Sequence, residues 1–316
     1  MTQPLTQRRQ QSRKQAIDWL LRLEDGELNP SERVRFNTWL DQDPLNRSAF
    51  EKAQSLLGQS RTALAADPKA TRQALEGGSR TPIIGTVSVL ALAVSATIWL
   101  ADVPMRLVAD DMTSPGELRS ITLVDGSRVL LNGRSSIAYD FGPDRREVSL
   151  LRGEAYFEVA SDPARPFTVK AGGGEIRVLG TAFNVNLGSA ATEVTVTEHV
   201  VEVSGEGGTE RISLTPGNQL RYDPDGHLGP VSVVDAVAET SWRNRRLVFE
   251  DRPLGQVVEE LARHLPGQVV VVGSALRARA ISGTFDLTKP DETLASFAQA
   301  FGLRTARAGP FVTLIY

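Results

Sequence analysis

The chain has 316 residues, enough for two or three compact domains, and its 41% hydrophobic and 23% charged residues are the composition of folded protein. It contains no cysteine, which excludes a disulfide scaffold, a thiolate metal site and a cysteine nucleophile. The formal net charge of -3 hides a mild asymmetry, with 13 Lys/Arg against 10 Asp/Glu up to Thr81 and 22 against 28 beyond it; the two signs are interspersed in the first part, which argues against a nucleic-acid footprint.

The first part reads as helical. Ile17, Trp19, Leu20, Leu21 and Leu23 follow a basic cluster and form one apolar helix face. Asn29, Pro30 and Glu32 supply an N-cap, a first-turn proline and a capping-box acid for a second helix bearing Val34, Phe36, Trp39 and Leu40. Asp43 and Pro44 repeat the device for a third helix, and a fourth segment runs from Gln59 towards Leu75. Three short helices invite a DNA-binding helix-turn-helix reading, but none offers a recognition face of Arg, Asn and Gln free of interspersed acids.

Residues 83–101 carry no charge, and as a helix they would span about 28 Å, close to a bilayer's hydrocarbon core. Arg61, Lys69, Arg72 and Arg80 precede the run, whereas Asp102, Asp110, Asp111 and Glu117 dominate after it, so the positive-inside rule puts the N-terminus in the cytoplasm. Its Ser and Thr content leaves a buried core helix open as the alternative, and the helical sequence ahead of it disfavours a cleaved signal peptide.

After Gly116 the period changes to two. Ile121 and Leu123, a turn at Asp125 and Gly126, and Val129 to Leu131 make a hairpin. Further strands fall at 136–139, 147–151, 155–159, 167–169, 175–179, 183–186, 194–203, 212–214 and 219–222. The alternation through Glu193, Val194, Thr195, Val196 and Thr197 predicts a sheet with one wet face, in an antiparallel sandwich, barrel or stacked β structure. After Trp242, apolar spacing at Leu254, Val257, Val258 and Leu261 and again at Leu294, Phe297, Ala298 and Phe301 places two helices among short strands, a βαββαββ order.

Four phrases in this region, "LVDGSRVLLNGRSSIAY" (123–139), "LLRGEAYFEVA" (150–160), "PFTVKAGGGEIRVLGTAFNV" (166–185) and "LTPGNQLRY" (214–222), resemble the periplasmic domain of the FecR family of transmembrane sigma-factor regulators. Residues 16–50 resemble that family's cytoplasmic anti-sigma domain, and the C-terminal unit resembles the secretin and TonB short N-terminal domain. The resemblance implies a multidomain chain. Its parts are an all-α cytoplasmic domain (1–76), a linker (77–82), a transmembrane helix (83–101), a periplasmic linker (102–118), an all-β domain (119–230), a linker (231–245) and a small α+β module (246–316). It implies a single-pass inner-membrane switch whose partners are an extracytoplasmic-function sigma factor, the signalling domain of a TonB-dependent receptor, membrane lipid and an intramembrane protease, with no direct nucleic-acid contact. Iron or siderophore uptake is the process the family implies. A membrane-anchored DNA-binding regulator and a structural part of a secretion complex are the alternatives.

Catalytic chemistry is sparse. His199, His227 and His264 share no ligand spacing, Gly172 to Gly174 lie between strands and read as a hairpin turn, and Glu154 and Glu158 read as solvated residues on an exposed strand face. No cofactor, metal or enzymatic activity is expected. The family resemblance implies self-cleavage between Gly180 and Thr181, in which the Thr hydroxyl attacks the preceding carbonyl in an N-to-O acyl shift; a bulge or tight turn needing a small residue is the competing reading. Trp19, Phe36 and Trp39 are candidate sigma contacts, with a packing role in competition.

Overall fold

The computed structural model describes residues 11–12, 15–16, 19, 22–23, 29–51, 54, 105–106, 108–208, 210–308 and 312–316, and the chain divides into two compact units, Met1–Val108 and Ala109–Tyr316. The apolar run at 83–101 and the expected fourth helix lie outside the described residues. Among those described, no helix is long and apolar enough to cross a membrane.

In the first unit, helix α1 (Pro30–Gln42) begins at the expected capping box: Asn29 Oδ1 accepts from Glu32 N at 2.9 Å and Glu32 Oε2 accepts from Asn29 N at 3.1 Å. The next helix, over 44–51, starts where Asp43 accepts from Leu45 N at 3.0 Å. Ala16, Trp39, Ala49 and Phe50 form the core of this unit, with Trp19, Phe36 and Leu40 packed against it.

The second unit begins with thirteen strands that form two sheets around one core: β1 (Asp111–Met112), β2 (Arg119–Thr122), β3 (Arg128–Leu131), β4 (Ser136–Gly142), β5 (Arg145–Glu158), β6 (Phe167–Ala171), β7 (Gly174–Val178), β8 (Ala182–Leu187), β9 (Thr192–Glu198), β10 (Val201–Gly205), β11 (Arg211–Leu214), β12 (Asn218–Tyr222) and β13 (Leu228–Val233). The first sheet runs β11-β10-β7-β6-β5-β4-β1 and the second β2-β3-β5-β8-β9-β12-β13, so β5 belongs to both. Phe157, Phe167, Phe183, Ile176, Leu131 and Leu220 are among the side chains that fill the space between them. Tyr222 closes the core from the second sheet by donating to Ala171 O at 2.8 Å.

Three expectations change here. The segments 147–151 and 155–159 are one strand, bent at Gly153 (φ 84), where a Cβ would meet Ser135 Oγ at 2.4 Å. Conversely, 194–203 is two strands in different sheets, broken at His199 (φ 53); an unbroken alternation of β-formers hides a corner that only the closing sandwich requires. The sandwich is also not wholly antiparallel, because β5 and β6 pair in parallel, Arg146 opposite Phe167 through Leu150 opposite Ala171. The loop that makes this crossover is pinned by Arg146, which is 1% exposed. It pairs with Asp125 at 3.0 Å and donates to the carbonyls of Arg165, Ala160 and Asp162.

The segment 231–245, expected as a linker, holds helix α2 (Ala236–Glu239) and a 3-10 turn (Ser241–Asn244) whose Trp242 is buried. The C-terminal module follows in the expected order with one short helix, α4, added: β14 (Arg246–Pro253), α3 (Leu254–Ala262), β15 (Gln268–Val271), α4 (Ser274–Arg277), β16 (Ala280–Asp286), α5 (Pro290–Ala300), β17 (Thr305–Ala308) and β18 (Val312–Ile315). Strands β14 and β16 pair with each other, and β15-β18-β17 make a three-stranded sheet in which β15, among the described residues, has a partner on one side only. Leu254, Val257, Val258 and Leu261 are all buried, as their spacing requires.

Two substitutions test the helical unit. Asn29→Ala removes both halves of the capping box and is expected to cost about 1 kcal/mol, whereas Trp39→Ala opens the aromatic core at a cost of about 3 to 5 kcal/mol. Chemical denaturation followed by helical circular dichroism would rank them.

Candidate functional site

The outward faces of β5, β8, β9 and β12 carry Glu154, Tyr156, Asn184, Asn186, Glu193, Thr195 and Gln219, a polar set that sequence alternation assigns to water. All seven are buried. The second half of β5, β8 and most of β9 are buried on both faces, because Trp242 and α3 of the C-terminal module lie against this sheet. The expected wet face is therefore dry, and Glu154 is 3% exposed rather than solvated. A single strand's pattern cannot report a layer contributed by residues more than a hundred positions away.

Glu154 is the centre of this interface. Its Oε2 accepts from Asn132 Nδ2 at 2.7 Å and pairs with Arg263 Nη1 at 2.8 Å, and its Oε1 accepts from Asn184 Nδ2 at 2.8 Å. Arg263, at the end of α3, also donates to Asn186 Oδ1 at 2.6 Å, and Trp242 Nε1 donates to Asn184 Oδ1 at 3.3 Å. Burial pushes the Glu154 carboxyl above its ordinary value, against the pull of Arg263, Asn184 and Asn132. A second cluster sits beside the first: Arg252 on β14 pairs with Glu193 at 3.4 Å, with Glu239 and with Glu260 at 3.6 Å. Burial pushes Glu260 up to about 8, with Glu154 adding to it. His264 is driven down to about 4 by burial and by Arg263 and Arg245.

The loop "NGRSS" belongs to the same interface. Asn132 Oδ1 accepts from Gly133 N at 2.7 Å, and a Cβ at Gly133 would stand 2.5 Å from Arg263 O, so only glycine lets the helix end approach. Arg134 (φ 54) donates to Leu265 O at 2.9 Å and to Gly267 O, and Ser135 Oγ donates to Glu154 O at 2.9 Å. The loop thus clamps the end of α3 and the start of β15 to the sandwich.

The residues singled out from sequence are placed as follows. Trp19, Phe36 and Trp39 come together, with ring centroids 5.4 Å apart for Trp19 and Phe36, 6.5 Å for Trp19 and Trp39 and 6.2 Å for Phe36 and Trp39. Trp39 is 7% exposed and donates to Gln15 Oε1 at 2.7 Å, so its ring packs the core. Thr181 is buried at the start of β8, its hydroxyl donating to Glu198 O, and a Cβ at Gly180 would stand 2.6 Å from Ser161 Cα. Gly172 and Gly173 form the turn of the β6–β7 hairpin. His199 and His227 are exposed; Asp223 Oδ1 accepts from the backbone N–H groups of Asp225 at 3.0 Å and His227 at 2.9 Å, which closes a turn.

Residues 110–202 match the model of the FecR protein family, and residues 14–56 match a domain of unknown function, DUF4880. The chain thus carries a FecR domain and, ahead of it, a DUF4880 domain. Two crystal structures of a proposed anti-sigma factor from Parabacteroides distasonis ATCC 8503, at 1.65 and 2.50 Å, are similar to it at 26% identity and a TM-score of 0.58, over 65% of this chain and 97% of that one. No curated protein matches. The FecR match spans β1 to β10 and includes Asn132, Gly133, Arg134, Glu154 and Asn184, the sandwich side of the buried interface.

Sequence reasoning missed Arg252, Arg263, Trp242 and the asparagines. A signal was present, since the outward positions of β8 are Asn184 and Asn186, amides rather than the Lys and Glu of a solvated face. Arg263→Ala leaves Glu154 buried without its counter-charge and is expected to cost about 3 to 5 kcal/mol, with Glu154→Gln relieving part of that loss in the double variant. Tryptophan fluorescence during urea unfolding measures the cycle.

The pH dependence is two-sided. A raised Glu260 gives stability that is present below its unfolded value and lost as pH rises through about 8, whereas a depressed His264 gives stability that is lost as pH falls from about 6.5 towards 4. Glu260→Gln should raise the melting temperature at pH 9 and change it little at pH 5, read by scanning calorimetry.

Proposed function

We propose that this FecR-family chain is an anti-sigma factor that holds an extracytoplasmic-function sigma factor with its N-terminal helices and receives its signal through the β sandwich and C-terminal module. The observation that supports this most is the union in one chain of a DUF4880 helical unit and a FecR sandwich, together with likeness to a proposed anti-sigma factor. In this reading residues 83–101 form the single inner-membrane helix, with the helices in the cytoplasm and the sandwich in the periplasm. The signalling domain of a TonB-dependent receptor docks on the C-terminal module, iron or siderophore uptake is the process governed, and an intramembrane protease releases the sigma factor. A lone helix transmits little beyond rotation, translation or its own cutting, which favours proteolysis as the release step.

The role is binding and switching. The interface chemistry suits it, because a module held through buried ion pairs and amides docks in one register or not at all. Self-cleavage at Gly180 and Thr181 is part of the proposal: the hydroxyl that would attack the Gly180 carbonyl is the one that Thr181 donates to Glu198 O. Tags at both ends of the chain read this step on immunoblots, with two fragments expected and a single full-length band counting against it.

Sigma contact is assigned to the exposed neighbours of the aromatic core. Val34 is 65% exposed on α1, and Leu23 is 40% exposed. In membranes from cells expressing the tagged full chain, the sigma factor should co-purify with it. Val34→Glu should weaken that capture by about tenfold without loss of helix signal, and Trp39→Ala should abolish it by unfolding the unit. Failure of any sigma factor to co-purify sinks the reading.

A further inference from the structure

The cover over the second sheet stops at Tyr156. Ser120 on β2, Leu130 on β3 and Tyr156 on β5 stand opposite one another across neighbouring strands, and Asn184 on β8 is the next member of the row. Trp242 is hydrogen-bonded to Asn184, but the row beyond Tyr156 is left open, and a cleft of about 350 Å³ remains between it and the turn that carries Trp242. Leu130 and Tyr156 give the cleft an apolar floor, and Arg243 and Asn244 of the turn form one wall. Its volume lies at the lower end of those that hold a small organic ligand.

Two guanidinium groups line the cleft, and only one of them is neutralised. Arg128 pairs with Glu158, its Nε donating at 2.8 Å and its Nη2 standing 2.6 Å from the same oxygen. Arg243 lies over the ring of Tyr156, 3.8 Å from the centroid, and donates to Thr240 O at 3.3 Å and to Thr240 Oγ1 at 3.4 Å. Both of those acceptors are neutral, and among the described residues no carboxylate pairs with Arg243. Its Nη1 also has no acceptor among them. Stacking on an aromatic face fixes the plane of a guanidinium and leaves its N–H groups directed outward within that plane. The hydroxyl of Ser120 and the side-chain amide of Asn244, which line the same cleft, make no hydrogen bond among the described residues.

We propose that this cleft binds a small organic monocarboxylate with a flat apolar body, its carboxylate meeting Arg243 and its body resting on Leu130 and Tyr156. One uncompensated guanidinium suits one negative charge, and a planar carboxylate matches donors that lie in one plane. Ser120 and Asn244 add donors for the remaining oxygen lone pairs. The site goes beyond the anti-sigma reading and does not rest on it. Its walls come from two parts of the unit: β2, β3 and β5 of the sandwich, and the turn that leads through Trp242 into the C-terminal module. A ligand that needs both walls binds only the seated arrangement and stabilises it by mass action.

The probe is nicotinate, titrated into the full chain in nanodiscs and followed by saturation-transfer NMR on the ligand, with empty nanodiscs as the blank. Nicotinamide, the neutral molecule of the same shape, and 3-(aminomethyl)pyridine, a cation at neutral pH, are the controls. Binding of nicotinate, with both controls weaker by at least about tenfold, supports the proposal, as does a loss of similar size in Arg243→Gln, which removes the charge. Ser120→Phe should abolish binding by filling the cleft from an exposed position on the edge strand. Unchanged thermal unfolding of the two variants shows that each is still folded. Absence of nicotinate binding at millimolar concentration, equal binding of nicotinate and nicotinamide, or an affinity that either substitution leaves unchanged overturns it.

Discussion

The structure of the second unit turns on one buried ion pair. Glu154 and Arg263 meet at 2.8 Å in a site sealed on one side by the sheet and on the other by α3, with Asn132 and Asn184 satisfying the rest of the carboxylate. Removing two charges from water is costly, and the cost is recovered only if geometry and hydrogen bonds are complete. That requirement reaches far. It fixes where α3 ends, it demands glycine at 133 so the helix end can approach, and it commits the outward face of β8 to asparagine.

Strand β5 is the second constraint. By crossing from one sheet to the other it brings Val148 and Leu150 into one layer and Phe157 and Ala155 into the other, and it carries Glu154 to the outer face of the second. Its alternation shows the change directly: one wet face in the first half, and burial on both sides after Gly153. Arg146 and Gly153 therefore do related tasks, at the start of the strand and at its bend. One pins the loop that returns as parallel β6, and the other permits the bend against Ser135.

These features bear on the proposed function because reception of a signal requires parts that move as units. Sandwich and module share an interface rich in polar groups, where every partner must be in register for the contact to be favourable. Such an interface is either seated or open, with little stable ground between. Glu260 and His264 both sit in it with opposite tendencies, so its stability has a maximum where their two ranges overlap, between pH 4.5 and 6.5.

Much was legible in the residues. The capping box at Asn29, the hairpin turn at Asp125 and Gly126, and the helix stripe at Leu254, Val257, Val258 and Leu261 are local, and local sterics and hydrogen bonding settle them. The motif phrases were legible as well, but their meaning was not: Asn132, Gly133 and Arg134 stand inside the first of them and serve as a clamp for residues beyond 260. The break at His199, the continuity of β5 and its parallel pairing with β6 were decided by closure of the sandwich. The dryness of Glu154, Thr195 and Gln219 was decided by a layer that arrives later in the chain. Sequence by itself determined most of the strands and helices, because those choices depend on neighbours within a few residues, though the turns of helix at 236–244 escaped it. Tertiary structure alone decided which polar side chains lose their water, because burial is set by the surface that packs over them.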